Sequence, residues 1–458
     1  MADVSIALFT RNLRVHDNLV LQAAAQSTQV VPLFVHDDGV AQSGFLRPNR
    51  AAFLVQCLDD LDAALRDRGG RLVVRRGDVV REVCRMAAET RAQRVHVAAD
   101  VSAYAQRRQR RLAHALEGDG RELVMHEAVI TAVPPGEISP QGNNHFAVFT
   151  PYYRRWIDHP LRCPLGPPQR LRLPRVQAGA VASVDELCVG ERSPHLMPGG
   201  EQEARRRLDR WTHNVERYAA QNDLLAADGT SRLSPYLHLG CLSPVEVISR
   251  VGSGSAGAEA FVRQVAWRDF HHQVLAARPR SAWQDYRGHR DRWRRDNHAL
   301  QAWREGRTGY PIVDAGMRQL AAEGWMHNRA RLIVGSFLTK TLYLDWRFGA
   351  QHFLELLIDG DVANNQMNWQ WIAGTGTDTR PNRVLNPLLQ ARRYDPEGDY
   401  VRRYVPELAG IAGSAVHEPW KLHERERPGD YPLPIVDLDE GRQRFHAARA
   451  GGSVGQCG

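Results

Sequence analysis

The sequence predicts an α/β domain built on a parallel, Rossmann-like sheet, followed by an all-α domain. Three observations lead there. Over the first 133 residues short apolar runs alternate with helical patterns, as strands joined by crossover helices would. Beyond residue 200 helical patterns dominate. Between the two, residues 134–200 are rich in Pro, Gly and short polar turns and read as a long connector. The expected units are therefore 1–133, 134–200 and 201–450.

Five strands are expected in the first unit: Ser5–Phe9, Val30–Val35 (VVPLFV), Arg71–Val74, Arg94–Ala98 and Glu122–Met125. Ala51–Leu65 carries apolar residues at helical spacing, and Asp78 is placed to cap a helix running to Thr90. No GxGxxG follows the first strand, so no dinucleotide site is predicted there; TRNLRVHDN (Thr10–Asn18) stands in its place. The connector is not wholly disordered, because FAVFTPYYRRW (Phe146–Trp156) is too aromatic. Helices are then expected over Leu208–Leu225, Pro244–Val251, Ala258–Ala277, Pro311–Ala322, Ala330–Leu344 and Gln351–Ile358.

At 458 residues, 43% hydrophobic and 24% charged, the composition is that of a soluble globular protein, not of a disordered chain. The net charge is +8, and Lys340 and Lys421 are the only lysines, so the positive charge is almost all arginine. A guanidinium fork binds two phosphate oxygens at once, which points to a polyanionic partner. No C-x-x-C pair suggests a zinc or iron–sulfur site. No run of 18 apolar residues suggests a membrane span and no leader pattern opens the chain, so a cytoplasmic, nucleoid-associated protein is expected.

The stretch Asp359–Trp371 (DGDVANNQMNWQW) is either a core helix with two packed tryptophans or a face that presents an amide and an indole to a bound ring. On a helix Asn365 and Trp369, four apart, share a face, while Trp371 points away from it. Upstream, ADGTSRLSPYLHLGCLSP (Ala227–Pro244) gathers Thr230, Ser231 and Ser234 around Arg232 and Leu233. Such a turn into a helix can hold a diphosphate, or serve only as an N-cap. Trp267, Trp293, Trp303, Trp325, Trp346, Trp369 and Trp371 all fall in the helical half; they are either packing or an electron relay. His271 and His272 are adjacent and face apart on a helix, so no metal is expected there.

TRNLRVHDN, FTPYYRRW, DGTSRLSPYL, WRDFHHQVL, GYPIVDAGMRQL, GWMHNRARLIVGSFLTK, DGDVANNQMNWQWIAGTGTD, RVLNPLLQ and DPEGDYVRRYVPEL follow one another in an order that resembles the photolyase and cryptochrome family along almost the whole chain. The likeness is to the bacterial class I enzymes that repair cyclobutane pyrimidine dimers. It implies a light-driven carbon–carbon lyase in which FAD, bound in the helical domain, transfers an electron to the dimer. The other implied activity is blue-light sensing, as in cryptochromes. By resemblance, Tyr218, Thr230, Ser231, Arg232, Leu233, Ser234 and Arg268 look like the FAD ribose and phosphate site. Asp359, Gly360 and Asp361 would lie beside the flavin ring, with Arg331 pairing Asp359 and Asn365 facing the central ring.

Trp369, Trp346 and Trp293 match the family's electron chain from the flavin to the surface. Trp267 and Trp371 resemble the indoles flanking a flipped-out dimer, with Gln264, Asn328, Arg329 and Gln390 on the lesion or its backbone. The implied partner is damaged DNA, bound by a monomer. Two departures stand out: Gln264 replaces the usual glutamate and Leu332 the usual methionine. Asn328 and Leu332 stand where 6-4 photolyases carry histidines, which argues against 6-4 repair. For the antenna pigment, Ala105 occupies the acidic position of folate-binding members, while Tyr104, Arg107 and Arg108 look more like the deazaflavin-binding ones. Deazaflavin is therefore expected over folate.

Overall fold

The computed structural model describes residues 3–288 and 291–451. Five strands, β1 (Val4–Phe9), β2 (Gln29–Asp37), β3 (Val73–Gly77), β4 (Arg94–Ala98) and β5 (Glu122–His126), form one sheet in the order β3-β2-β1-β4-β5. Every pairing is parallel. The central strand β1 is buried at all of its residues, which explains its run VSIALF, apolar except for Ser5, whose hydroxyl meets that of Ser27 (2.8 Å). The strand order reverses between β1 and β4. Loops leaving their C-terminal ends part in opposite directions there and open a crevice.

The connector is part of the fold. Phe149–Ile157 is a helix, and Phe146, Phe149, Tyr152 and Trp156 pack with Val262, Ala266, Phe270 and Val274 of the Ala256–Ala277 helix. Further on, Val74 donates its N–H to the Ala178 carbonyl (2.6 Å), so connector residues line the outer edge of β3. One apolar core crosses the boundary between the two halves. In it Phe9, Leu13, Phe53 and Cys57 meet Tyr236, Leu237, Cys241, Trp325 and Ile358.

Several predicted helices differ in extent. Leu208–Leu225 is not one helix: Glu201–Thr212 ends, a tight turn follows at Val215–Arg217, and a short helix spans Tyr218–Gln221. The break falls where His213 Nδ1 and Asn214 Nδ2 take up the Asp209 and Arg210 carbonyls, so that side chains replace the helical ladder. In place of a straight Ala330–Leu344 helix, Asn328–Ser336 widens into a π-turn at Phe337–Thr341, and Tyr343 follows with φ +57°. The helix expected at Gln351 begins at Trp346, because the Asp345 carboxylate caps it by accepting the Arg347 N–H. Among the described residues no helix is long and apolar enough to cross a membrane.

Candidate functional site

A cavity of about 550 Å³ opens in the helical half. One wall is the turn Thr230–Ser234 with Tyr218; a second is the face of the Ala256–Ala277 helix carrying Gln264, Trp267, Arg268 and His271. The Asn328–Ser336 helix adds Asn328, Arg329, Arg331 and Leu332, and Asp359, Asp361, Asn365, Trp369 and Trp371 close the space. Trp371 therefore shares the cavity with Asn365 although it lies on another face of the Val362–Ala373 helix.

The two carboxylates are held in different ways. Asp359 Oδ2 accepts from Arg331 (2.8 Å) and from the Ser234 hydroxyl (2.6 Å), which itself accepts the Trp325 indole N–H (3.2 Å). Its other oxygen, Oδ1, is buried without a partner, as is the Thr230 hydroxyl. Buried acceptors of this kind call for a donor from a ligand. Asp361 caps the Val362–Ala373 helix by accepting the Asn364 N–H (2.8 Å). It pairs with Arg11, a residue of the α/β half, and has His272 Nε2 at 3.4 Å. Burial alone would raise the Asp361 carboxyl, but Arg11, His272 and His238 outweigh it and hold the group well below the usual carboxylate range. His271 turns to Asn364 (3.1 Å), and burial pushes its pKa down to about 4, so its ring is neutral at pH 7. His272 turns to the Arg268 carbonyl (2.8 Å), so the histidine pair diverges. The Asn365 amide is fixed by donating to the Ala350 carbonyl (3.0 Å). A narrow pocket with ion-paired carboxylates, spare acceptors and several indoles suits a planar heteroaromatic ligand with N–H groups and an anionic tail.

Known proteins agree. Residues 5–170 match the family model for DNA photolyase, and residues 261–450 match that for the FAD binding domain of DNA photolyase. The deoxyribodipyrimidine photo-lyase of Streptomyces griseus is 58% identical over 97% of this chain and 99% of its own length. The chain belongs to the DNA photolyase family. The Halobacterium salinarum deoxyribodipyrimidine photo-lyase is 38% identical, covering 94% of this chain and 96% of that one. Among solved structures, a class III photolyase from Agrobacterium tumefaciens superposes with a TM-score of 0.93 at 31% identity, covering 99% of this chain and 98% of its own. A Synechocystis cryptochrome gives 0.90 at 29% identity over 97% and 99%. An archaeal photolyase from Sulfolobus tokodaii, solved with two FAD molecules, gives 0.86 at 30% over 98% and 99%. Residues 261–450 of this photolyase-family chain are thus an FAD-binding domain.

Other residues singled out in the sequence take less direct positions. Arg232 has φ +52° and its guanidinium is already engaged by Asp228 (2.8 Å) and Glu323 (2.9 Å) while stacking on Trp325. Arg268 spends its fork on the Ile130 (2.5 Å) and Leu237 (3.2 Å) carbonyls. Arg329 forms a bidentate pair with Asp223 and stacks on Tyr394. Gly360 lies behind the wall, where a Cβ would meet Arg50 Nη1 at 3.0 Å. Gln390, Trp346 and Trp293 do not line the cavity; Gln390 is half-buried on the Pro387–Tyr394 helix. Trp267 stacks face to face on Phe149 of the connector, with centroids 3.7 Å apart. Trp369 meets Phe353 (4.9 Å) and Trp303 (6.0 Å), Trp346 donates to Asp285 (2.8 Å), and Trp293 meets Tyr343 (5.1 Å).

Reasoning from sequence missed Arg11, His238, Trp325 and Phe149 as parts of this site. Arg11 and Phe149 lie in segments that carried the family resemblance, but nothing local ties either to the cavity. A second cavity, of about 440 Å³, sits where the strand order reverses, lined by Phe9, Arg11, His36, Asp100, Tyr104 and Arg108 among others.

Proposed function

We propose that this chain splits cyclobutane pyrimidine dimers in DNA under blue light, with FAD in the helical cavity. What carries the reading is that one cavity is lined both by carboxylate and hydroxyl groups suited to a flavin and by two indoles, Trp267 and Trp371, suited to two unstacked neighbouring pyrimidines. FAD, when bound, supplies the light-driven one-electron chemistry.

The chain's own residues bind, orient and refill. Asp359, anchored on one oxygen by Arg331 and Ser234, offers the other to a ring N–H; Asp361 remains ionised beside it; Asn365 presents a fixed amide. Tyr218 and the Thr230–Ser234 turn would hold the ribose and phosphates, and with its cation already paired, Arg232 would act there more through shape than through charge. A dimer stacks poorly in the duplex, so extruding it costs little, and the Trp267 and Trp371 faces offset that cost. Phe149 backs Trp267 and keeps its plane fixed. Gln264 can both donate to and accept from the bases, while Asn328, Arg329 and Gln390 serve the damaged strand. Trp369, Trp346 and Trp293 return electrons from the surface. The protein acts as a monomer on damaged DNA.

The second cavity takes the antenna pigment, a deazaflavin. Tyr104 donates to Asp37 (2.6 Å) with Arg108 3.7 Å from the same carboxylate, a polar rim on an otherwise apolar slot, and Ala105 offers no acid to a pterin. The test is repair of a dimer-containing oligonucleotide by chemically reduced protein, with and without blue light. Light-dependent repair is expected. Its absence in protein that retains FAD would favour a photosensor.

A further inference from the structure

We infer that Arg11, supplied by the α/β domain, is a positioning residue for the FAD cavity of the helical domain: it holds Asp361 in place as a carboxylate, so that the α/β domain sets the affinity and pH profile of flavin binding. The inference rests on the reading of that cavity as the FAD site.

Arg11 lies two residues beyond β1, at the point where the strand order reverses. Its Nη2 donates to Asp361 Oδ2, its Nε donates to the His238 carbonyl (3.0 Å), and its Nη1 faces Asp100 Oδ2 after β4 (3.5 Å). One guanidinium thus joins the ends of two strands to the Ser234–Leu239 helix and to the N-cap of the Val362–Ala373 helix. The backbone is fitted to that approach. Gly240 has φ +72° and a Cβ there would collide with the Arg11 carbonyl, while Leu13 donates its N–H to the Leu239 carbonyl (3.2 Å). Arg11 and His238 also line the second cavity, together with Val362 and Ala363, so this cluster is the wall between the two ligand spaces.

Charged and titratable groups reach Asp361 from both halves of the molecule. Arg11 comes from the loop after β1 and Asp100 from the loop after β4. His238 Nδ1 lies at 3.9 Å on one side and His272 Nε2 at 3.4 Å on another, with Arg268 and His271 further along the same helix as His272. His238 is buried with neither ring nitrogen hydrogen-bonded, and burial lowers its pKa. It cannot replace the guanidinium without taking up a proton. Losing Arg11 leaves a buried carboxylate that is stable only when it, or a histidine beside it, is protonated.

The experiment measures FAD dissociation constants of Arg11→Met, Arg11→Lys and the Arg11→Met/Asp361→Asn pair, alongside wild type, from about pH 5.5 to about pH 8. Wild type should be flat across this range. Arg11→Met should bind FAD at least about tenfold more weakly at the alkaline end and recover on acidification, since the lost partner is a charge-assisted one. Arg11→Lys should fall between, because an ammonium cannot span the carboxylate and the His238 carbonyl together. The double variant, with no unpaired charge at position 361 and with Asp100 still accepting the Ser102 N–H, should bind without the pH dependence of Arg11→Met. Wild-type affinity and a flat profile in Arg11→Met would overturn the inference. If Arg11→Met does not fold, the pair decides: restored folding with flat binding supports the inference, and failure to restore folding overturns it, since Arg11 would then serve the backbone and not Asp361. Unchanged FAD affinity in Asp359→Ala would overturn the cavity reading and this inference with it.

Discussion

At the scale of single residues, Gln264 and Lys340 make opposite points. Gln264 is exposed in the cavity on the same helix as Trp267, and the family resemblance implies a glutamate at that position. An amide can donate and accept, but it cannot carry charge. Gln264→Glu is therefore expected to keep FAD and to keep or raise the rate of light-dependent repair; loss of repair with FAD retained would give Gln264 a different role. Lys340 touches no ligand space. It is buried, and its Nζ donates to the Pro381 (3.0 Å) and Arg383 (2.7 Å) carbonyls, clamping the segment whose Arg383 stacks over Trp371. Burial, outweighing Asp378, brings its pKa from 10.5 down to about 7. Between those values the unfolded chain binds more protons than the folded one, so this lysine makes stability rise with pH; below 7 both states are charged and the full cost of burial applies. In urea titrations from about pH 7 to about pH 10, wild type should gain stability relative to Lys340→Met as pH rises. Parallel curves would show that Lys340 keeps its proton throughout.

At the scale of elements, the question is which indole carries a charge away from Trp369. The family resemblance implies Trp346 and then Trp293, a route on which Trp303→Phe would be nearly silent in light-driven flavin reduction. In the structure Trp303 is the indole whose ring meets Trp369, and Trp369 is set tightly against the Trp346–Leu356 helix because Gly349 carries no Cβ to obstruct it. Contact alone does not decide. A positive charge on an indole is stabilised by an anion and by water. Trp346 and Trp303 are both wholly buried, so the anion distinguishes them: the Trp346 N–H donates to the Asp285 carboxylate, whereas the Trp303 N–H donates to the neutral Val334 carbonyl (3.0 Å). Trp293 is only partly buried and reaches solvent. Trp293→Phe should fold, bind FAD and repair dimers after chemical reduction, yet fail to bleach the flavin's blue absorbance lastingly under light with a thiol present. Trp303→Phe should bleach at nearly the wild-type rate while losing about 1–3 kcal/mol of stability, from its hydrogen bond and the space it leaves. Normal bleaching in Trp293→Phe with none in Trp303→Phe would move the exit to Trp303.

At the scale of the whole molecule, the features legible in the sequence are those that repeat locally. The five strands showed as short apolar runs, and the Asp361-capped helix with Asn365 and Trp369 on one face comes from a spacing of four. The family resemblance added residue types and order. Arg11 meeting Asp361 across 350 residues, and Phe149 lying flat on Trp267, leave no periodicity to read, because such pairings exist only after the chain has folded. The same holds for the joint between the halves, and there the architecture makes a thermodynamic statement. Arg50 of the Pro48–Arg66 helix donates to the Leu357 carbonyl (2.7 Å), and Phe53 on that helix packs on Tyr236 with ring centroids 5.4 Å apart. Each half also has an apolar cluster of its own, but a core shared this way ties them together, so the halves should unfold as one. Phe53→Ala tests it: the side chain is fully buried in the α/β half and lines neither cavity, and its loss should cost about 3–5 kcal/mol. If the halves are one cooperative unit, far-UV ellipticity and release of FAD from the helical half should move to lower temperature together in this variant. Loss of ellipticity in a first step, with FAD held until a second at the wild-type temperature, would show that the FAD domain stands on its own.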